Sequence, residues 1–268
     1  MNDLYFGSGA SASKDYESLY GLMRICLESG ICHFDTAPSY QTEGVIGKVL
    51  QNLQQELHID RKAYIIQTKI DPWQMMEGNI RCHIEAALGK LRVDYIDSLL
   101  IHWPEPDYLD STWNEIAQAQ REGLVKRIGI CNVRMRQLRK LVHCTTLPQI
   151  VQIERNPLRI CKEEIDFCHE YQIEVQAYSP LCKMDARIKN SKVLKDIAEK
   201  YGKNVGQIVL RWHLDTGVIP IFTTKKIGRI KEYTELYDFR LTDPEIEEIS
   251  ELNENYKMYL ESCICPGF

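Results

Sequence analysis

Residues 30–50 read GICHFDTAPSYQTEGVIGKVL. Cys32–Phe34 is a short run of strand type, Asp35 leaves it, and Tyr40 follows five residues later. Beyond Thr42 the period changes: Val45, Ile46, Val49, Leu50 and Leu53 share one helical face. A strand feeding a helix of this length is half of a βαβ unit, and such units build parallel sheets. Working outward, the other strand candidates are Leu4–Ser8, Tyr64–Thr68, Ile96–Ile101, Arg127–Ile130, Ile150–Ile153, Glu174–Ala177 and Val218–Ile221. Helical spacing lies between them. Tyr16, Leu19, Tyr20, Met23 and Leu27 form a first face, with Ser13 as its expected N-cap and Gly30 as its stop. Ile80, Ile84, Ala87, Leu88 and Leu91 form another, and helices are expected near 111–122, 135–142, 162–170, 192–201, 205–214 and 243–252. Eight strands alternating with helices predict one α/β domain over 1–268, a single-domain (β/α)8 TIM barrel.

Composition agrees with one large core. The chain has 268 residues, 44% of them hydrophobic, enough to bury a domain of this size. A formal charge of −5 argues against a nucleic-acid partner, which calls for a basic surface. Apolar runs such as Tyr95–Trp103 are strand-length, too short for a membrane span, and the N-terminus lacks the pattern of a secretory signal. The expected setting is cytoplasmic, as a monomer or weak homo-oligomer. Ten cysteines without a CxxC pair read as reduced, mostly buried thiols. Cys263 and Cys265 form a CxC, read as an inert tail because two thiols make a poor metal site. Seven histidines show neither HxxxH nor HxH, so no metal is expected, and His33 reads as core.

In a barrel, chemistry gathers where strands end. The second strand delivers Asp35, the third Lys69 in IIQTKI, and the fourth His102 in DSLLIHWP, with Tyr40 nearby. Singly, each has an ordinary reading: a turn-forming Asp, a solvated Lys, a packed loop His. Three successive strands bringing them to one rim is a convergent polar site. A lysine ammonium favours the phenolate and lowers a tyrosine's pKa. An aspartate holds that lysine charged, and a histidine polarises a carbonyl oxygen. The set suits protonation of an oxygen while a hydride reaches the adjacent carbon, and a hydride needs a cofactor.

The whole chain resembles the aldo-keto reductase superfamily. GICHFDTAPSYQTEGVIGKVL is similar to its first signature, IIQTKI to its lysine segment, and LRVDYIDSLLIHWPEP to its second signature. GLVKRIGICN, IVQIERNPL and VQAYSPL also have counterparts there. The resemblance implies NAD(P)H-dependent reduction of a small aldehyde or ketone, with Asp35, Tyr40, Lys69 and His102 catalytic. It implies that Asn132 and Gln152 hold the nicotinamide carboxamide and that Tyr178 stacks on the ring. Gly9, Ser179, Leu181, Phe222, Thr224, Lys225 and Glu232 complete the implied cofactor contacts. Trp73, Trp103 and the tail from Tyr256 are expected to line the substrate pocket.

Three departures from the family pattern stand out. Cys131 replaces a serine that would hydrogen-bond the carboxamide. The chain starts almost at its first strand, so the usual N-terminal hairpin plug is expected to be missing and the barrel floor closed by side chains or a partner. After the last strand, Thr223 and Tyr233 replace a lysine and an asparagine, whereas Arg229 is kept. Lys225, Lys226, Arg229 and Lys231 crowd the start of an expected helix, where the dipole disfavours cations and an anion would relieve them. NADPH is therefore expected over NADH, against the ordinary alternative of a solvated basic face.

Competing readings exist. Gly7–Ala12 matches G-x-G-x-x-A between a strand and a helix, which would make 1–150 a doubly wound dinucleotide domain with Asp35 on the ribose. Lys69 at a strand end would suit a Schiff-base aldolase if its pKa were depressed. A cofactor-binding regulatory barrel with little turnover is the non-enzymatic alternative.

Overall fold

The computed structural model describes residues 3–9, 14–144 and 146–260. Eight parallel strands close in chain order: β1 (Tyr5–Gly7), β2 (His33–Asp35), β3 (Ile65–Ile70), β4 (Ile96–Ile101), β5 (Val125–Cys131), β6 (Ile150–Glu154), β7 (Glu174–Tyr178) and β8 (Val218–Phe222). β1 pairs with both β2 and β8, which closes the ring and removes the doubly wound reading. The second half of the glycine-rich decoy, Ala10–Ala12, lies outside the described residues, as do Ser13, Cys263 and Cys265.

Among the described residues the α-helices are α1 (Tyr16–Glu28), α2 (Glu43–Glu56), α3 (Pro72–Glu77), α4 (Ile80–Leu91), α5 (Leu109–Arg121), α6 (Met135–Leu141), α7 (Lys162–Glu170), α8 (Ala186–Lys189), α9 (Lys192–Tyr201), α10 (Val205–Asp215), α11 (Ile227–Thr234) and α12 (Asp243–Ser250). Asp15 caps α1, accepting from the Ser18 N–H at 2.9 Å, so the cap stands two residues past the expected Ser13. Asn204 and Gln207 form a capping box on α10, and Thr242 and Glu245 another on α12. Two short helices, α3 and α8, had no periodicity to announce them, because one turn or so is too short to repeat.

The strands' outer faces, with Phe6, Phe34, Ile66, Leu99 and Ile128, meet the helices in the main core. A second cluster around Trp212, Ile208, Leu194 and Ile249 packs α9, α10 and α12 together. Gly47 lets α2 approach the end of α4, since a Cβ there would stand 2.4 Å from the Lys90 carbonyl oxygen.

The barrel interior is mostly polar, unlike the branched apolar filling usual for this architecture. At the N-terminal end, the floor, Tyr5 stacks on His33 with centroids 4.4 Å apart, and Arg127 pairs with Glu174 at 2.9 Å. Side chains thus cover that end. Above them, Gln176 accepts from Gln67 at 2.7 Å and from Gln152 at 3.1 Å, and Gln67 donates on to Asp35 at 2.8 Å. Leu100, Cys131 and Ile150 form a small apolar patch beside this lattice.

Candidate active site

Asp35 is the last residue of β2 and Lys69 the penultimate residue of β3, so both point into the barrel just below its C-terminal mouth. The Lys69 side chain is fully buried, yet its three donors are used: Asp35 Oδ1 and Oδ2, each at 2.8 Å, and the Thr36 carbonyl at 2.9 Å. Burial opposes the ammonium charge most, but the Asp35 carboxylate, with Tyr40 and Cys131 adding to it, holds the Lys69 pKa above its ordinary value. A lysine held charged in this way offers no lone pair to a carbonyl carbon, which speaks against the Schiff-base reading.

Tyr40 closes a short 3-10 turn, Pro38–Tyr40, that carries the chain from β2 to α2. Hydroxyl contacts brace this turn: Thr42 Oγ1 meets Ser8 Oγ and Thr36 Oγ1, each at 2.8 Å. The Lys69 ammonium lies 4.9 Å from the Tyr40 ring centroid. Burial pushes the phenol pKa up, Lys69 pulls it down and Asp35 adds to the rise. The net shift is upward, so Lys69 moderates the phenol without ionising it, and the Tyr40 hydroxyl keeps its proton at neutral pH.

His102 follows β4 directly, and its Nε2 stands 3.3 Å from the Tyr40 hydroxyl. Asn132, just past β5, adopts φ 56, a left-handed conformation that asparagine tolerates. Its Nδ2 donates to the His102 carbonyl at 2.9 Å and its Oδ1 accepts from the Tyr178 hydroxyl at 2.6 Å. Gln152 spends its Nε2 on Asp35 and Gln176.

These groups border one cavity of about 530 Å³. Of the expected site residues, its wall takes Gly9, Asp35, Tyr40, His102, Trp103, Asn132, Gln152, Tyr178, Ser179, Leu181, Phe222, Thr223 and Arg229. Lys69 stands behind Tyr40. Several expected contacts lie off the wall. Cys131 is buried a layer below, in the apolar patch with Leu100 and Ile150. Tyr233 packs edge-on against Phe222 at 5.2 Å, inside the core. Glu232 accepts from Asn204 Nδ2 and, through its carbonyl, from Gln207. Thr224 Oγ1 accepts from the Lys226 N–H, and Lys225 points to solvent. Trp73 is 51% exposed and lies edge-on to His83, because α3 turns it outward. Lys231 belongs to the last turn of α11, where the dipole suits a cation, so Lys225, Lys226 and Arg229 alone crowd its start.

The wall also holds residues that sequence reading missed, among them Lys183 and Met184, together with Tyr259 from the expected tail. Tyr259 reaches it because the Glu154 carboxylate accepts from the Met258 and Tyr259 N–H groups at 2.7 and 3.1 Å, pinning the tail over the mouth. Asp71 was missed too, although it hydrogen-bonds His102 Nδ1. Its signal was present: an Asp before Pro72, one residue beyond a strand, is a helix start at the catalytic rim.

Comparison with known proteins agrees with this geometry. The model of the aldo/keto reductase family matches residues 3–254. Methylglyoxal reductase DkgA of Escherichia coli (strain K12) is 34% identical over 255 residues, covering 94% of this chain and 90% of the relative. Glyoxal reductase of Bacillus subtilis (strain 168) is 30% identical over 257 residues, covering 95% and 90%. A crystal structure of a Bombyx mori aldo-keto reductase in complex with NADP superposes with a TM-score of 0.88 at 30% identity, covering 98% of this chain and 92% of that one. The chain belongs to the aldo/keto reductase family.

Proposed function

We propose that this protein reduces aldehyde or ketone groups of small molecules with NADPH, Tyr40 giving the proton. The observation that carries the reading is the stack at the barrel mouth. A fully buried, charged Lys69 lies under the ring of a protonated Tyr40, whose hydroxyl faces the cavity beside His102.

The residues present fit a nicotinamide. Asn132 has a second Nδ2–H to offer a carboxamide oxygen, and Gln152 Oε1, which accepts from no described residue, can take the carboxamide amine. Tyr178 supplies an aromatic face in the same wall. Bound there, the cofactor supplies the hydride. Lys225, Lys226 and Arg229 at the start of α11, with no acidic residue in its first turn, favour the additional phosphate of NADPH. The chain's own part is to hold the carbonyl oxygen near Tyr40 and to move one proton onto it. The names of the relatives make methylglyoxal and glyoxal the first carbonyls to try.

Fluorescence titration with both cofactors, then a carbonyl screen, tests the reading. Tyr40→Phe should lower kcat by about 100-fold or more, the usual share of general acid catalysis, with NADPH affinity unchanged. Undiminished turnover in Tyr40→Phe, or much tighter binding of NADH than of NADPH, refutes the corresponding half. A protein that binds cofactor but is inert across the screen would favour the regulatory barrel.

A further inference from the structure

Asp71 sits one residue past β3 and caps α3. Its carboxylate is nearly fully buried and touches two parts of the site. Oδ2 accepts from the Ser39 N–H at 2.7 Å, and Oδ1 from Ser39 Oγ at 3.1 Å. Oδ1 also meets His102 Nδ1 at 2.5 Å. Ser39 precedes Tyr40 in its turn, so one carboxylate fixes both the phenol's loop and the imidazole ring. On the ring's other side Nε2 faces the Tyr40 hydroxyl.

The proton inventory follows from donors and acceptors. Burial works against the Asp71 charge, but hydrogen bonds from His102 and Ser39 outweigh it and hold the carboxyl below its ordinary range. A carboxylate only accepts, so His102 Nδ1 must carry the proton. A neutral imidazole has just one, which leaves Nε2 bare and accepting from Tyr40 O–H. The charged and titratable groups facing the ring are Asp71 and Lys69 from the β3 end, Asp35 from β2 and Tyr40 from the following turn. Burial lowers the His102 pKa, Asp71 opposes this, and Lys69 adds to the fall, so the net shift is downward. At neutral pH the ring is neutral.

We infer that Asp71 is a positioning residue that makes His102 Nε2 a hydrogen-bond acceptor in the neutral protein, so that His102 polarises a carbonyl oxygen only after taking a second proton. The inference rests on the carbonyl-reductase reading and revises the simpler expectation of a histidine that always donates. At neutral pH the Tyr40 proton is engaged by Nε2. Protonation of His102 turns Nε2 into a donor and frees the Tyr40 O–H, so both serve an incoming carbonyl oxygen. Reduction therefore gains as pH falls through the His102 pKa. In the reverse direction the bare Nε2 accepts from an alcohol hydroxyl, and oxidation gains as pH rises.

Asp71→Asn tests this, because the site dictates how the amide must seat. The Ser39 N–H can only donate, so the amide oxygen keeps the Oδ2 position. The amide nitrogen then faces His102 Nδ1 and Ser39 Oγ, and a serine hydroxyl can accept. Nδ1 becomes the acceptor and the neutral ring carries its proton on Nε2. Imidazole-nitrogen NMR of the histidine-labelled chain without cofactor, assigned with His102→Gln, should show the Nδ1–H tautomer in the unmodified protein and the Nε2–H tautomer in Asp71→Asn. An Nε2–H tautomer in the unmodified protein, or the same tautomer in both, overturns the inference. This readout needs no turnover, so an inert protein would sink the reductase reading while leaving it intact. If Asp71→Asn does not fold, the unmodified spectrum decides alone. In turnover, kcat/KM for reduction should fall about tenfold or more as pH rises through the His102 titration. Asp71→Asn should lack that fall and keep its cofactor affinity. A purely structural Asp71 would lower the rate equally at every pH and leave the fall in place, which would also overturn the inference.

Discussion

Ile66 and Gln67 are neighbours in β3 and live in different media. Ile66 faces the helices among apolar side chains, while Gln67 faces the barrel axis and hydrogen-bonds Asp35 and Gln176. The same contrast runs round the ring: Leu99 against Ser98, Val151 against Gln152, Val175 against Gln176. Outside, stability follows apolar area removed from water and tolerates approximate fit. Inside, it depends on each polar group keeping its partner, since a buried donor or acceptor left alone costs its full desolvation. The inner lattice is also what carries Asp35 and Lys69 up to the mouth, so the less forgiving face is the one that positions the chemistry.

The comparison breaks most visibly at Lys69. Lys69→Met keeps the volume but leaves Asp35 buried with only amide donors, and should destabilise by about 3–5 kcal/mol, the cost of orphaning one member of a buried ion pair. Urea unfolding measures it. The exposed Lys162–Asp166 pair serves as the control, and Lys162→Met should leave the unfolding midpoint where it was. Equal shifts in the two variants would mean that the barrel axis is no drier than the surface.

On the outer face, Leu99→Ala should cost about 3 kcal/mol, the loss of buried methyl groups plus the cavity they leave. Its effect on kcat should be small, because no polar partner moves. A large fall in kcat with little loss of stability would show that the apolar shell, and not the polar lattice, sets the site.

The same division explains what could be read in advance. Helical faces and strand runs were legible because the outer shell repeats with the period of its elements, so ten helices and eight strands fell within a few residues of their observed bounds. Asp35, Lys69 and His102 were legible because each ends or follows a strand. Tyr233 was misplaced because a position in a motif does not say which way a ring turns, and here the core claims it. Asp71 was overlooked because its role depends on His102, which is 31 residues away in the chain and 2.5 Å away in space. The glutamine lattice escaped for the same reason: Gln67 and Gln176 are 109 residues apart.

Gln176 gives the smallest of these effects and the sharpest test of the inner face. Its Oε1 accepts from Gln67 and Gln152, and its Nε2 donates to Gln67 at 3.1 Å and to Glu174 at 2.8 Å. Gln176→Leu is similar in size and removes every one of these bonds. It should cost about 1–3 kcal/mol, mainly from the Gln67 carbonyl left without a donor. Gln67→Leu alone should cost a similar amount, with a further effect on Asp35. The double variant removes the orphan together with its former partner, so it should cost clearly less than the sum of the two. A double-mutant cycle in urea reads this directly. If the two costs simply add, the glutamines act as independent fillers, and the inner face follows the same area rule as the outer one.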